Sequence, residues 1–210
     1  RPVWLLVGGA VHIAHNGLRI STPDVAEDVS TVRTELQVAY SGMVTRTVDV
    51  LTELTAPDGT VAAQEISKLT LKPGARETLY QRIYVRDAKL WSLEEPNLYG
   101  CTVTLLEDGR QLDQATERFG IRELRIDPVH GLRLNGKGVL LRGACYHHDN
   151  GVLGAATFPR AEARRVELGK AAGFNSIRVS HNPASQALLE ACDRLGVLVL
   201  EESFDTWNTP

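Results

Sequence analysis

No apolar run in this 210-residue sequence approaches the roughly 20 residues that span a bilayer. The opening Arg1-Pro2-Val3-Trp4 also lacks the charged and apolar regions of a secretory leader. Cysteine is scarce: Cys101, Cys145 and Cys192 are three in number, far apart and outside any C-x-x-C spacing. This excludes a disulfide framework and a structural zinc site and predicts reduced, buried thiols. A surplus of charge is missing as well. The 23 basic and 26 acidic residues leave a net charge of −3, with no long run of either sign, so neither nucleic acid nor a membrane surface is an expected partner. The sequence has no nucleophile elbow, phosphate-cradling glycine loop or dinucleotide fingerprint. A methionine start is absent too, and strand-like apolar runs stand close to both ends, over 3–7 and 197–200. The expectation is a piece cut from a longer protein.

Ordinary globular composition, 43% hydrophobic and 23% charged, provides for one large domain or two small ones. From residue 17 to 124 short β-like runs alternate with turn chemistry. Residues 31–40 place Val32, Leu36 and Val38 on one face and Arg33, Glu35 and Gln37 on the other; residues 47–55 repeat the pattern with Val48, Val50 and Leu54. Pro57-Asp58-Gly59 and Glu107-Asp108-Gly109 supply turns. With further runs at 61–71, 78–85, 99–107 and 111–118, the spacing predicts an immunoglobulin-like β-sandwich of about seven strands.

The period changes after about residue 124. A hairpin through Asn135-Gly136 leads into a strand over 139–144. A helix over 161–172 follows, with Ala161, Val166 and Leu168 as its apolar stripe, then a strand over 174–179. A second helix over 185–195 stops at Gly196 before a strand over 197–200, whose composition predicts burial on both faces. Strand, helix, strand, helix, strand implies a parallel sheet. About 85 residues hold only the first three strands of a (β/α)8 barrel, which needs about 250 residues. The fold class is therefore multidomain, β plus α/β: the sandwich, then an incomplete barrel.

In such sheets ligands sit at the carboxyl ends of the strands. Those ends are polar here: His147, His148 and Asp149 after the first; Arg178, His181 and Asn182 around the second; Glu201, Glu202 and then Asp205 after the third. A functional site is the favoured reading of that concentration. Solvated loop histidines, a simple Arg178–Glu202 pair across neighbouring strands, and a His/carboxylate metal site are the competing readings. His12, His15 and His130, with Asp193-Arg194, read as surface residues.

At these positions the sequence resembles glycoside hydrolase family 2, which includes β-galactosidases, β-glucuronidases and β-mannosidases. The resemblance rests on Glu117-Arg118-Phe119-Gly120-Ile121-Arg122, on Leu134-Asn135-Gly136-Lys137 through Leu141-Arg142-Gly143, on His147-His148-Asp149, on residues 173–183 and on Cys192-Asp193-Arg194-Leu195-Gly196. Trp91-Ser92 with residues 95–99 is similar to a motif of the family's middle sandwich domain, and the opening five residues look like the last strand of its N-terminal jelly roll. The implied domains are the end of the jelly roll at 1–16, the sandwich at 17–124 and the start of the catalytic barrel at 125–210.

The resemblance implies a retaining exo-β-glycosidase whose two catalytic glutamates follow the fourth and seventh barrel strands, beyond Pro210, so that this chain contains no catalytic residue and is inactive alone. It implies that His147 and His181 bond sugar hydroxyls, that Arg178 holds the nucleophile ionised, and that His148, Asp149, Asn182, Glu202 and Asp205 contribute sugar contacts or support. A β-galactoside is the expected substrate, with no cofactor; a homo-oligomeric, bacterial and cytoplasmic parent is the expectation. Asn182 stands where many members have tyrosine, and Glu201-Glu202-Ser203-Phe204-Asp205 replaces the familiar Asp-Glu-Ala-Asn run, so no magnesium ligand pattern is visible. The rival functions are a non-catalytic carbohydrate-binding or structural module and a metal-dependent hydrolase.

Overall fold

The computed structural model describes residue 3 and residues 5–203. Asp205, and Arg1, Pro2 and Trp4 of the opening motif, lie outside the described residues. Two compact units emerge. Of the described residues, one takes 5–90 and 97–123; the other takes residue 3, 91–96 and 124–203.

The first unit is a β-sandwich of seven strands: β1 (Val11–Asp24), β2 (Val29–Tyr40), β3 (Arg46–Thr55), β4 (Val61–Leu71), β5 (Arg76–Arg86), β6 (Tyr99–Glu107) and β7 (Arg110–Phe119). They form antiparallel sheets of order β1-β2-β5 and β4-β3-β6-β7. The period-2 alternation places Val32, Leu36 and Val38 of one sheet and Val48, Val50, Leu54, Val103 and Leu105 of the other in one core, each at most 1% exposed. Each such side chain stabilises the fold by roughly 1.5–3 kcal/mol relative to exposure. The turn after Ala56 closes as Asp58 Oδ1 accepts bonds from the Thr60 N–H and hydroxyl, with Gly59 at φ 87°. Asp108 and Gly109, both left-handed at φ 50° and 77°, join β6 to β7, as a two-residue hairpin requires. One core feature carries no periodic signature. Gln81 is 4% exposed and accepts from Thr52 Oγ1 at 2.6 Å and Thr34 Oγ1 at 3.4 Å, while donating to Val50 O and Ser67 Oγ.

The strand expected over 3–7 does not form: described residues 3 and 5–9 pair with no other strand, and Val3, Leu5 and Val7 are almost fully exposed. The boundary expected at residue 16 falls inside β1, whose Val11 and Ala14 are buried.

The second unit begins with a small antiparallel meander of β8 (Leu124–Asp127), β9 (Gly131–Leu134) and β10 (Lys137–Gly138). Asn135 and Gly136, at φ 50° and 76°, make its expected tight turn. His130 is not partnerless: Asp127 Oδ1 meets its Nδ1 at 3.0 Å and accepts from its backbone N–H at 2.8 Å. Parallel strands β11 (Gly143–Tyr146), β12 (Ser176–Val179) and β13 (Leu198–Leu200) alternate with helices α1 (Pro159–Ala171) and α2 (Gln186–Leu195). β11 starts four residues later than the apolar run 139–144 suggested. Only from Gly143 onward can the chain lie against β12, where a Cβ would stand 1.8 Å from Ser176 O. Helix α2 is capped by Ser185, whose Oγ accepts the Leu188 N–H, and ends on left-handed Gly196.

The helices bury Val166, Ile177, Val179, Leu188, Ala191, Cys192 and Val197 together. The stripe expected on α1 is displaced, since Glu162, Val166 and Gly169 face inward at i, i+4, i+7 while Leu168 is exposed. β13 is not covered along its whole length, for Val197 just before it and Leu198 are buried while Leu200 is exposed. The segment Trp91–Pro96 belongs with this unit. Trp91, fully buried, donates through Nε1 to Asp193 O at 2.7 Å, Asn135 donates to Trp91 O, and Lys170 donates to Leu93 O and Gly196 O at 2.7 and 2.9 Å. No helix among the described residues is long and apolar enough to cross a membrane.

Candidate functional site

Side-chain alternation along β12 decides what the site contains. Ile177 and Val179 point into the helix-covered core, so Arg178 points to the opposite side, in register with Cys145 on β11 and Leu200 on β13. Two residues past β13, Glu202 receives it. Arg178 Nε donates to Glu202 Oε1 at 2.5 Å, Nη2 contacts the same oxygen, and His181 Nδ1 meets Oε2 at 3.1 Å. Both carboxylate oxygens are thus engaged, one by a guanidinium and one by an imidazole. The side chains of Arg178, His181 and Glu202 remain 46%, 31% and 24% exposed. At that exposure a single ion pair adds little to stability, and the arrangement serves orientation more than stability.

His147, immediately after β11, stands edge-on to His181 with ring centroids 5.4 Å apart. Its backbone is held by Arg165, whose Nη2 donates to His147 O at 2.8 Å while the guanidinium lies 4.8 Å over the Tyr146 ring. Of the eight residues expected at this site, the structure therefore brings together His147, Arg178, His181 and Glu202. His148 lines a crevice of about 10 Å³ with Glu162, Ser185 and Leu188, room for no more than a water molecule. Asp149 shapes its own turn by accepting the Gly151 N–H at 3.0 Å. Asn182 is exposed with no bond to the group, and Asp205 lies outside the described residues.

Two neighbours take roles that their place in the sequence did not reveal. Glu201 anchors the loop after β12, its Oε1 accepting the Ala184 N–H at 2.6 Å. Cys145, expected among the buried thiols, is exposed, its Sγ 3.6 Å from Arg178 Nη1. The Ser180 hydroxyl, and then Arg178, hold its thiol below the ordinary value by favouring the thiolate. Contact with Cys145 and then Glu202 raises the Arg178 guanidinium further, fixing it as a cation. Cys101 and Cys192 match the expectation: both are buried, and burial pushes each to about 12. Among the described residues no three His, Cys, Asp or Glu side chains converge as a metal centre.

Chemically, the strand ends offer a fixed cation, two imidazoles and a carboxylate on one solvent-facing side. That set can bond hydroxyls and hold a second carboxylate ionised. Residues 11–122 match the model of glycosyl hydrolases family 2, and residues 128–208 match the family's TIM barrel domain. A β-galactosidase of Bacteroides ovatus is 32% identical over 208 residues, covering 99% of this chain and 24% of that protein. The crystal structure of a family 2 member from Bacteroides cellulosilyticus superposes with a TM-score of 0.93 at 39% identity, over 96% of this chain and 28% of that one. The Bacteroides uniformis β-glucuronidase does so at 0.87 and 33%, over 96% and 25%. The chain thus spans about a quarter of the length of the relatives it matches.

Proposed function

Because the chain belongs to glycosyl hydrolases family 2, its sandwich followed by the start of the TIM barrel, we propose that it supplies part of the sugar pocket of a retaining exo-β-glycosidase acting on terminal β-galactosides. The supporting observation is the convergence of His147, Arg178, His181 and Glu202 at the carboxyl ends of three parallel strands, where ligands of this architecture bind. In this reading the sandwich, from β1 at Val11 to residue 124, is the middle domain, and residues from 125 onward open the catalytic barrel.

Retaining hydrolysis uses two carboxyl groups about 5 Å apart. One attacks the anomeric carbon as the other protonates the leaving oxygen; water, deprotonated by that second group, then releases the sugar. Both glutamates belong to the length of the relatives that this chain does not span. Arg178, a permanent cation, keeps the attacking carboxylate ionised and aimed, since a nearby positive charge favours the charged form. His147 and His181 bond hydroxyls of the terminal sugar, where bonds that strengthen in the oxocarbenium-like transition state accelerate the reaction. Glu202 orients Arg178 and His181, and His148, Asp149, Asn182 and Asp205 are assigned further sugar contacts or supporting bonds. The parent is a homo-oligomer in this reading.

The test sets chromogenic β-galactoside, β-glucuronide and β-mannoside before the longer protein and the 210-residue chain side by side. Hydrolysis by the longer protein, fastest on the galactoside, with none by the chain alone, is expected. Hydrolysis by the chain alone would refute the assignment of both glutamates elsewhere, and preference for the glucuronide would move the substrate.

A further inference from the structure

The two outer faces of the sandwich are built differently. On β4-β3-β6-β7 polar side chains are matched across strands: Lys68 with Asp49 at 3.1 Å, Gln64 with Glu53 at 2.6 Å, Thr47 with Thr70 at 3.2 Å and Thr102 with Thr116 at 3.1 Å. Directly opposed partners of this kind stabilise a solvated sheet.

The outer face of β1-β2-β5 breaks that rule. While Gln81, Ile83 and Val85 of β5 point inward, Arg76, Tyr80, Arg82, Tyr84 and Arg86 all point out and are exposed, the tyrosines by 54% and 61%. Arg33 of β2 stands directly opposite Arg82, a like-charge placement that costs stability. Arg33 lying 4.8 Å over the Tyr80 ring relieves it in part. Arg76, Arg82 and Arg86 make no ion pair among the described residues. Glu35, opposite Tyr80, is engaged by Arg19 at 3.7 Å. A chain with a net charge of −3 thus concentrates unpaired arginine on one flat face, at a folding cost with no return inside the fold.

We propose that this face is a second, non-catalytic carbohydrate site that docks a linear oligosaccharide carrying uronate carboxylates. Guanidinium groups match carboxylates with two parallel bonds, and exposed tyrosine rings present broad apolar surface with a polar tip to the flat faces of sugar rings. From Arg76 to Arg86 the row runs about 33 Å along β5, long enough for several sugar units in line. The choice of a glycan over another polyanion rests on the glycosidase reading above.

The test measures retention of the 210-residue chain by affinity electrophoresis in gels containing polygalacturonate, neutral dextran or oligothymidylate. Retention by polygalacturonate alone is expected, weakened about tenfold or more by R82E/R86E and also weakened by Tyr84→Ala, with melting temperatures not lowered by the charge reversal, since a glutamate at position 82 would stand opposite Arg33. R82Q/R86Q serves should the glutamate pair fail to fold. Wild-type retention of the arginine variants, or equal retention by oligothymidylate, would overturn the proposal. Hydrolysis of small chromogenic glycosides by the longer protein does not involve this face. An inactive longer protein would therefore refute the glycosidase reading and leave the retention result to stand or fall by itself.

Discussion

Gly143→Ala isolates the contact on which the parallel sheet depends. The added methyl would stand 1.8 Å from Ser176 O and 2.6 Å from its carbonyl carbon, whereas ordinary contact begins near 3.4 Å. The neighbour is backbone and cannot swing aside, so β11 and β12 must part by roughly 1.5 Å, which removes hydrogen-bond geometry along the junction. Four bonds sit there: Asn175 N–H and Ser176 N–H to Arg142 O, Arg142 N–H to Asn175 Oδ1 at 2.7 Å, and Asn175 Nδ2 to Leu140 O. At about 0.5–1.5 kcal/mol each, a local loss of about 2–6 kcal/mol follows. Hydrogen exchange read by mass spectrometry should show amides of residues 140–146 and 174–180 exchanging about 30-fold faster or more, with β2 in the sandwich unchanged as internal control. Gly138→Ala, with nothing within 4 Å of the new carbon, should leave exchange as in the wild type. Wild-type protection in Gly143→Ala would refute the argument from close approach.

Other consequences follow from single groups. Gln81→Leu strands the Thr52 hydroxyl and Val50 O in the sandwich core and should lower stability by about 2–4 kcal/mol, read as a shifted urea midpoint of the sandwich transition; an unchanged midpoint would count against the network. Alkylation should modify Cys145 first. Its rate should rise with pH along a titration below that of an ordinary thiol, because Ser180 and Arg178 favour the thiolate. Cys101 and Cys192, pushed to about 12 by burial, should stay unmodified until denaturant is added. Arg178→Gln removes one stabilising partner and should move the Cys145 profile to higher pH, and an unmoved profile would contradict the contact.

What the sequence revealed was whatever repeats at short range. Val32, Leu36 and Val38 are legible from period 2, Asn135-Gly136 from turn chemistry, and Ser185 and Gly196 as the ends of α2. Contacts that join distant segments left no periodic trace. Gln81 reads as one more polar residue in an alternating strand until Thr34 and Thr52 arrive from other strands. Apolar residues 139–141 look like the strand itself, though pairing begins only where Gly143 admits Ser176. Trp91 reads as part of the sandwich, yet its indole bonds Asp193, which looked like a solvated helix end. At the site, position after a strand was enough to single out His147, Arg178, His181 and Glu202. It could not separate them from His148 and Asp149, because which way a loop side chain turns depends on partners such as Ser185 and the Gly151 N–H. Cys145 was misjudged because the face away from the helices is not visible in a run of small apolar residues.

Arg178 is the residue on which the proposed sugar pocket most directly depends. In the longer protein, Arg178→Gln should lower kcat/KM for the preferred chromogenic β-glycoside by about a hundredfold or more, the loss of about 2.7 kcal/mol of transition-state stabilisation, with the fold intact by circular dichroism. Kinetics indistinguishable from the wild type would mean that Arg178 does no more than pair with Glu202, and that the sugar pocket lies elsewhere.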